Sequence, residues 1–405
     1  MIVLLVSEFY PPILGGVEIH VANLAAELAD RGHEVHVATL AAPTGQELQG
    51  KIHVHRIESS AADWPWLHRD KSRPFHLPVP DPKVRRELTR LVADLGPDVV
   101  HAHNWMAASL PRLEVPMVMT AHDYGWVCPK RNLLRADRTV CSGPAPLKCL
   151  PCSADQYGPA KAVLANVATM LGRRVVHPNE MIAVSGAVAR AVAPFVPRAP
   201  VIVPNFVPAD LATRGPVTLS GLPAGPFAMF AGVAMAHKGI DVLMEAWQDP
   251  PCDLVVAALS PVAAASGPAV RVMSLKPAEM PSAWRRAAVA VVPSLWADPC
   301  PTVALEAMTL GVPVVGSAVG GMLDLIDDGV EGVLVAPGDA GALRQAVRDL
   351  IHDPSRRAAM GAAASRRAAS YSVGVVAATL EEVYRRAIVE RRGTAVTRRR
   401  VTVPG

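Results

Sequence analysis

The chain reads as two successive series of short apolar runs, each stopping at glycine or a polar residue. Residues 3–7 open the first series. Gly15-Gly16 follow, and an amphipathic pattern over residues 17–31 predicts a helix. Gly32-His33-Glu34 stop it, and residues 35–39 form the next run. An apolar run, an amphipathic helix and a second apolar run predict a βαβ unit. Residues 98–103, 115–120, 181–184 and 201–203 continue the series. These runs stop at His101-Ala-His103, at Ala121-His122-Asp123, at Ser185 and at Pro204-Asn205. Polar residues at the C-terminal ends of parallel strands are where open α/β sheets place ligand contacts.

The pattern then restarts. Residues 227–231, 254–259, 270–273, 289–292, 312–316 and 332–335 are strand-like, and a helix is expected over residues 241–248. The segment between the series, residues 205–226, is rich in proline, glycine and small polar residues. The expected organisation is two Rossmann-like α/β domains, 1–205 and 206–370, facing a deep cleft. Residues 371–405 form a C-terminal helix that crosses back to the first domain, with a basic tail.

Composition narrows the choice. A length of 405 residues fits two domains, and 51% hydrophobic content is ample for two cores. Aromatic residues are only 4%, which favours α/β layers over a β-sandwich. A net charge of +4 is too small to imply a nucleic-acid partner. The apolar start, residues 1–6, is short and runs into Ser7 and Glu8, so it reads as a buried strand and not a leader. A cytoplasmic protein is the expectation, with peripheral contact at the inner face of the membrane.

The most specific segment is Pro293-Ser-Leu-Trp-Ala-Asp298-Pro-Cys-Pro-Thr-Val-Ala-Leu-Glu306, followed by Gly311 and a strand. A carboxylate offers only acceptors, which suits vicinal sugar or ribose hydroxyls. Glu306 is expected near a helix start, where the dipole tolerates its charge. Without a ligand, the two acids would simply sit in the first turn. The segment resembles the acidic motif of retaining glycosyltransferases of family 4, which have the GT-B fold. The resemblance implies that Glu306 binds the nucleotide ribose and that Asp298, where the family usually has Glu, lies against the donor sugar.

Other positions fit the same likeness. Phe9-Tyr-Pro-Pro12 and Gly15-Gly16-Val-Glu18 resemble the family's opening, where the loop faces the donor diphosphate; a plain tight turn is the alternative. Lys238, in His237-Lys238-Gly239, resembles the cation that meets the diphosphate, but Val233 stands where the family has Arg. Two cations would have neutralised the leaving group. His122 resembles a histidine near the donor sugar, and His101 and His103 end the neighbouring strand. Gly320-Gly321 before Asp324 is either a turn beside the donor pocket or a plain connection.

Four of the six cysteines, Cys128, Cys141, Cys149 and Cys152, fall within residues 128–152 with intervals of twelve, seven and two. The last pair has a chelating spacing, so a structural zinc is expected, with an iron–sulfur cluster, free thiols or disulfides as alternatives. A proline-rich loop with Trp64, Trp66, His68 and Lys71 could meet an acceptor sugar or a membrane, or only connect. Arginines 385, 386, 391, 392 and 398–400 make a basic end suited to anionic lipid headgroups or to solvent.

The resemblance implies transfer of a sugar, with retention, from a UDP- or GDP-sugar to a hydroxyl acceptor bound by the first domain. No cofactor is implied for the chemistry. His122, Lys238, Asp298 and Glu306 would carry it, with Gly15 and Gly16 at the donor. Alternatives are a nucleotide-sugar epimerase on the same fold and a non-catalytic nucleotide-sugar binder.

Overall fold

The structure, a computed structural model, describes residues 1–13, 15–41, 44–64, 76–137, 139–258, 267 and 269–401. Two sheets carry the fold. The first holds β1 (Ile2–Ser7), β2 (Glu34–Leu40), β3 (Gly45–Gln49), β4 (Ile52–Ile57), β5 (Val99–Ala102), β6 (Met117–Ala121), β7 (Glu180–Ala183) and β8 (Val201–Ile202). Their spatial order is β3-β4-β2-β1-β5-β6-β7-β8. All pairings are parallel except β3 with β4, an antiparallel hairpin at the edge. The hairpin is absent from the apolar pattern because β3, Gly-Gln-Glu-Leu-Gln, is almost wholly exposed.

The second sheet holds β9 (Phe227–Ala231), β10 (Asp253–Ala257), β11 (Val270–Met273), β12 (Val289–Val292), β13 (Val314–Ser317) and β14 (Gly332–Val335), in the order β11-β10-β9-β12-β13-β14. Every pairing in it is parallel. The central strands are continuous apolar runs because helices cover both faces. Phe-Ala-Met-Phe-Ala of β9 is buried throughout.

Helix ends follow local chemistry. Asp81 caps the Pro82–Leu95 helix by accepting from Val84 N, and Gly96 ends it in the left-handed region at φ 52°. The Cys-bearing segment runs into a helical hairpin, Pro146–Tyr157 and Pro159–Val175, not anticipated from the sequence. Pro151 inside the first of these helices and the cysteine spacing disguise its helical period.

The last helix, Val373–Val401, packs on the first sheet. Val376, Ala377, Leu380, Val383 and Tyr384 share a buried cluster with Val3, Leu5, Val21 and Leu24. Its arginines are engaged there. Arg385 bonds Glu381, Arg386 bonds Glu180, and Arg391 bonds the carbonyls of Leu113 and Glu114. These three guanidiniums are therefore not a free lipid-facing cluster. The side chains of residues 398–400, and loop residues 65–71, lie outside what is described.

Candidate functional site

Each sheet reverses its strand order once, between β1 and β5 and between β9 and β12. Such switch points open a crevice at the strand C-termini. Here the two crevices face each other across a cavity of about 310 Å³. The first half contributes Gly16, Val17, His122, Asp123 and Asn205. The second contributes Gly232, Val233, Lys238, Ser294, Trp296 and Asp298.

Lys238 Nζ meets Asp298 Oδ2 at 2.5 Å and lies over the Trp296 ring, 5.0 Å from its centroid. Among the described lining residues Lys238 is the sole lysine or arginine, and Val233 brings no charge to the wall. Two backbone devices hold the pair in place. Gly239 has φ +78°, and a Cβ there would stand 1.8 Å from Pro293 O, so only glycine lets the Lys238 turn reach β12. Gly321 N donates to Asp298 O at 2.7 Å, and a Cβ on Gly321 would lie 2.1 Å from Pro299 O. The Gly320-Gly321 turn thus buttresses the Asp298 loop and is more than a connection.

The acids are not where a first-turn reading puts them. The helix after the loop is Thr302–Thr309, so Asp298 precedes it, Glu306 sits in its second turn, and its first turn carries no acid. Glu306 is not among the cavity's lining residues, which end at Thr302 and Val303 one turn earlier. Its Oε2 accepts from Trp284 Nε1 at 3.3 Å, and burial raises its pKa against that bond. Gly15 precedes the first helix, Gly16–Asp30, and the carboxylate of Glu18 folds back over it, within 2.4 Å of where a Cβ would stand. That helix N-terminus thus already has an internal anion, while Gly16 remains open to the cavity.

His122 and His103 come together; His101 turns away. His103 Nδ1 and His122 Nε2 are 2.9 Å apart, and His20 from the first helix sets its ring edge-on to His122 at 4.7 Å. His101 is internal, 2.7 Å from Tyr384 Oη and 2.8 Å from Thr120 Oγ1. Among the described residues, His20, His103 and His122 are the one group of histidine, cysteine or acidic side chains with three ligand atoms within 4.8 Å, close enough to consider a cation. Metal-bound histidines nearly always donate the other ring N–H to an acceptor. His103 Nε2 is buried without a partner, so ligation through Nδ1 would strand an N–H there. Hydrogen bonding accounts for the pair better. An orphaned acceptor is tolerated more readily than an orphaned N–H. The network therefore assigns the proton to His103 Nδ1, which donates to His122 Nε2. His122 then carries its own proton on Nδ1, beside Asn205, whose Oδ1 has no other partner.

Burial lowers the pKa of His122 to about 4 and of His101 to about 3, and holds His20 and His103 well below the usual range. The folded chain thus refuses protons that the unfolded chain takes up from about pH 6.5 downwards, so stability must fall as the pH drops through that window. Glu8, raised by burial to about 7, and Glu306, also raised, work in the opposite sense, against these four histidines and against His55, His76 and His237, which burial lowers too. Urea midpoints measured between about pH 7 and about pH 4.5 are expected to fall towards acid. A flat profile would mean that the cluster is charged in the folded protein.

The four cysteines are not gathered: no three of their sulfurs lie within 4.8 Å of one another. All are free thiols. Cys141 Sγ donates to Gly143 O, Cys149 Sγ accepts from Ala145 N, and Cys152 Sγ lies 3.5 Å from Lys130 Nζ. A four-thiolate zinc would require this segment to rearrange.

Several groups at the site escaped the sequence reading. His20 and Trp296 drew no reading, and Asn205 was read only as a turn residue after a strand. Glu8 is buried, and its carboxylate accepts from Trp105 N at 3.1 Å. Only the placement of Glu8 and Asn205 directly after apolar runs hinted at them.

The chain matches the family model described as Glycosyltransferase Family 4 over residues 14–211 and that of Glycosyl transferases group 1 over residues 223–367. It is 30% identical over 414 residues to D-inositol 3-phosphate glycosyltransferase 1 of Catenulispora acidiphila, covering 94% of this chain and 92% of that one. To D-inositol 3-phosphate glycosyltransferase of Kineococcus radiotolerans it is 29% identical over 422 residues, covering 93% and 92%. The fold matches sucrose-phosphate synthase from Thermosynechococcus elongatus with a TM-score of 0.71 at 19% identity, covering 96% of this chain and 100% of that one. It matches Anabaena HepE, solved with UDP and glucose, with a TM-score of 0.66 at 16% identity, covering 95% and 99%. Both relatives are named as glycosyltransferases, which does not favour the epimerase or the non-catalytic alternative. With two parallel sheets meeting at their switch points and matches along both halves, the chain belongs to the family-4 glycosyltransferases of the GT-B fold.

Proposed function

We propose that the protein transfers a sugar from a UDP- or GDP-sugar to a hydroxyl of its acceptor, with retention at the anomeric carbon. One observation carries this reading: the Lys238–Asp298 pair faces His122 across a cavity between two switch points. Lys238 is placed to leave Asp298 for the donor diphosphate and to stabilise the charge that develops on it, together with backbone amides and in place of a bridging cation. Asp298 then accepts from sugar hydroxyls. With the donor bound, His122 is placed to turn its Nδ1–H from Asn205 to a sugar oxygen. The departing phosphate takes the acceptor proton on the same face, so no protein nucleophile is required. The relatives' names make a phosphorylated polyol the first acceptor to try, and the nucleotide in the HepE structure makes UDP the first base to try.

Glu306 has one hydrogen-bond donor now, and two ribose hydroxyls would satisfy its remaining acceptor capacity. Glu306→Ala is therefore expected to weaken nucleotide binding by about 1–3 kcal/mol by calorimetry. Unchanged affinity would remove Glu306 from the site. The function itself is tested by calorimetry with UDP, GDP and ADP, followed by transfer assays with the matching sugar nucleotides. The anomeric configuration of the product is then read by NMR. Saturable binding of one nucleotide and a retained anomer support the reading; no binding of any nucleotide, or an inverted product, overturns it.

A further inference from the structure

The helical hairpin after the cysteines is built unlike the rest of the surface. The inner side of the Pro159–Val175 helix is made of small residues, Ala162, Ala168, Thr169 and Gly172, all buried. A Cβ on Gly172 would stand 2.7 Å from the Trp105 ring and 2.4 Å from Pro78 O, so this side packs directly on the first domain. The outer side carries Val163, Leu164, Val167, Met170, Leu171 and Val175, each 37–52% exposed. Their spacing of three, four and seven places them on one stripe along the whole helix. Leu147, on the preceding helix, is 94% exposed. An apolar stripe of this length left in water marks a docking surface.

The charge around the stripe has one sign. From Pro146 to Val176 the chain has Lys148, Lys161, Arg173 and Arg174 against a single acid, Asp155. Lys161 and Arg174 are exposed at opposite ends of the helix, and neither has an acidic partner among the described residues. A second copy of this chain fits poorly: antiparallel pairing of the helix with itself would set Lys161 against Arg174 and supply no acids between them. A bilayer with anionic headgroups fits both features. The apolar stripe enters the acyl boundary while the lysine and arginine stems reach back to the headgroups.

We propose that the outer face of the Pro146–Val175 hairpin docks the enzyme on an anionic lipid surface. The contact is independent of the cleft reading. It replaces Arg385, Arg386 and Arg391, which are bonded to the protein, as the lipid-facing element. It also sits behind Trp105, which lines the small pocket beside His122, so the docked face adjoins the acceptor side of the cleft.

The test is co-sedimentation of the full chain with phosphatidylcholine vesicles and with vesicles that also contain phosphatidylglycerol. Binding is expected only to the anionic vesicles and should weaken as salt is raised. The triple variant Val163→Gln, Val167→Gln, Leu171→Gln should lower partitioning at least about tenfold, since three apolar side chains leave the acyl boundary. The double variant Lys161→Glu, Arg174→Glu should lower it at least about 25-fold, at about fivefold per cation removed and with two repelled carboxylates added. Melting curves and nucleotide affinity recorded alongside should stay unchanged in both variants. The proposal is overturned by absence of binding to anionic vesicles. It is equally overturned by binding that both variants retain, or by a dimer in light scattering that the glutamine variant dissolves.

Discussion

Lys238→Ala is expected to lower kcat by about 10²–10³-fold, the usual loss when one preorganised charge-stabilising group is removed from a transition state. The size of the effect follows from the composition of the cavity wall. Val233 stands where the family's usual second cation would be, and no other described lining residue is a lysine or arginine. The turn that carries Lys238 is held by Gly239 against Pro293, so the ammonium cannot be replaced by a neighbour sliding into position. Folding should suffer less than turnover. Lys238 is partly exposed, but its removal leaves Asp298, nearly buried, without its partner, and the expected loss is about 1–3 kcal/mol. Steady-state kinetics should show the loss mainly in kcat and only modestly in KM. Lys238→Arg keeps the charge and should recover part of the rate. Full activity in Lys238→Ala would place the diphosphate elsewhere.

The scaffold was largely legible because parallel strands covered on both faces must be continuous apolar runs, and β1, β9 and β12 fall within a residue of where those runs place them; the edge strands β11 and β14, less buried, were legible from their short β-branched runs. What escaped lacked that signature. Strand β3 is polar and exposed, β4 interleaves its buried Ile52, Val54 and Ile57 with histidine and arginine, and the helix containing Pro151 breaks the usual rule against proline in a helix interior. Site residues that belong to a contiguous motif, Lys238 and Asp298, are brought together in space. Glu306 shares the motif but faces Trp284, because its helix begins only at Thr302. His101 and His103 could not be separated by their two-residue spacing. Their difference comes from Tyr384, nearly 300 positions away in sequence, whose hydroxyl claims His101 and leaves His103 to His122. No local pattern contains that information.

His103→Phe is expected to lower kcat about 10²-fold although His103 itself touches no substrate in the proposed site, the scale on which small misplacements of reacting groups cost rate. The physical reason is the tautomer. While His103 Nδ1–H donates to His122 Nε2, the lone pair of His122 is occupied and its proton stays on Nδ1, beside Asn205 on the cleft wall, from where a bound sugar can take it over. Phenylalanine keeps the ring's bulk against His20 and His101 but supplies no donor. His122 Nε2 would then be a buried acceptor without a partner, and the ring is free to turn or to move its proton to Nε2, which costs the cleft its donor. His103→Asn retains an N–H and should restore part of the rate, which a purely packing role for His103 would not predict. Nitrogen NMR of His122 gives the direct readout: protonated Nδ1 in the wild type and in His103→Asn, mixed tautomers in His103→Phe. Burial keeps His122 neutral down to about pH 4, so the acid limb of kcat should not carry a midpoint near 6.5 in the wild type. A wild-type His122 with its proton on Nε2, or a His103→Phe enzyme with unchanged kcat, would show that the histidine pair serves packing alone.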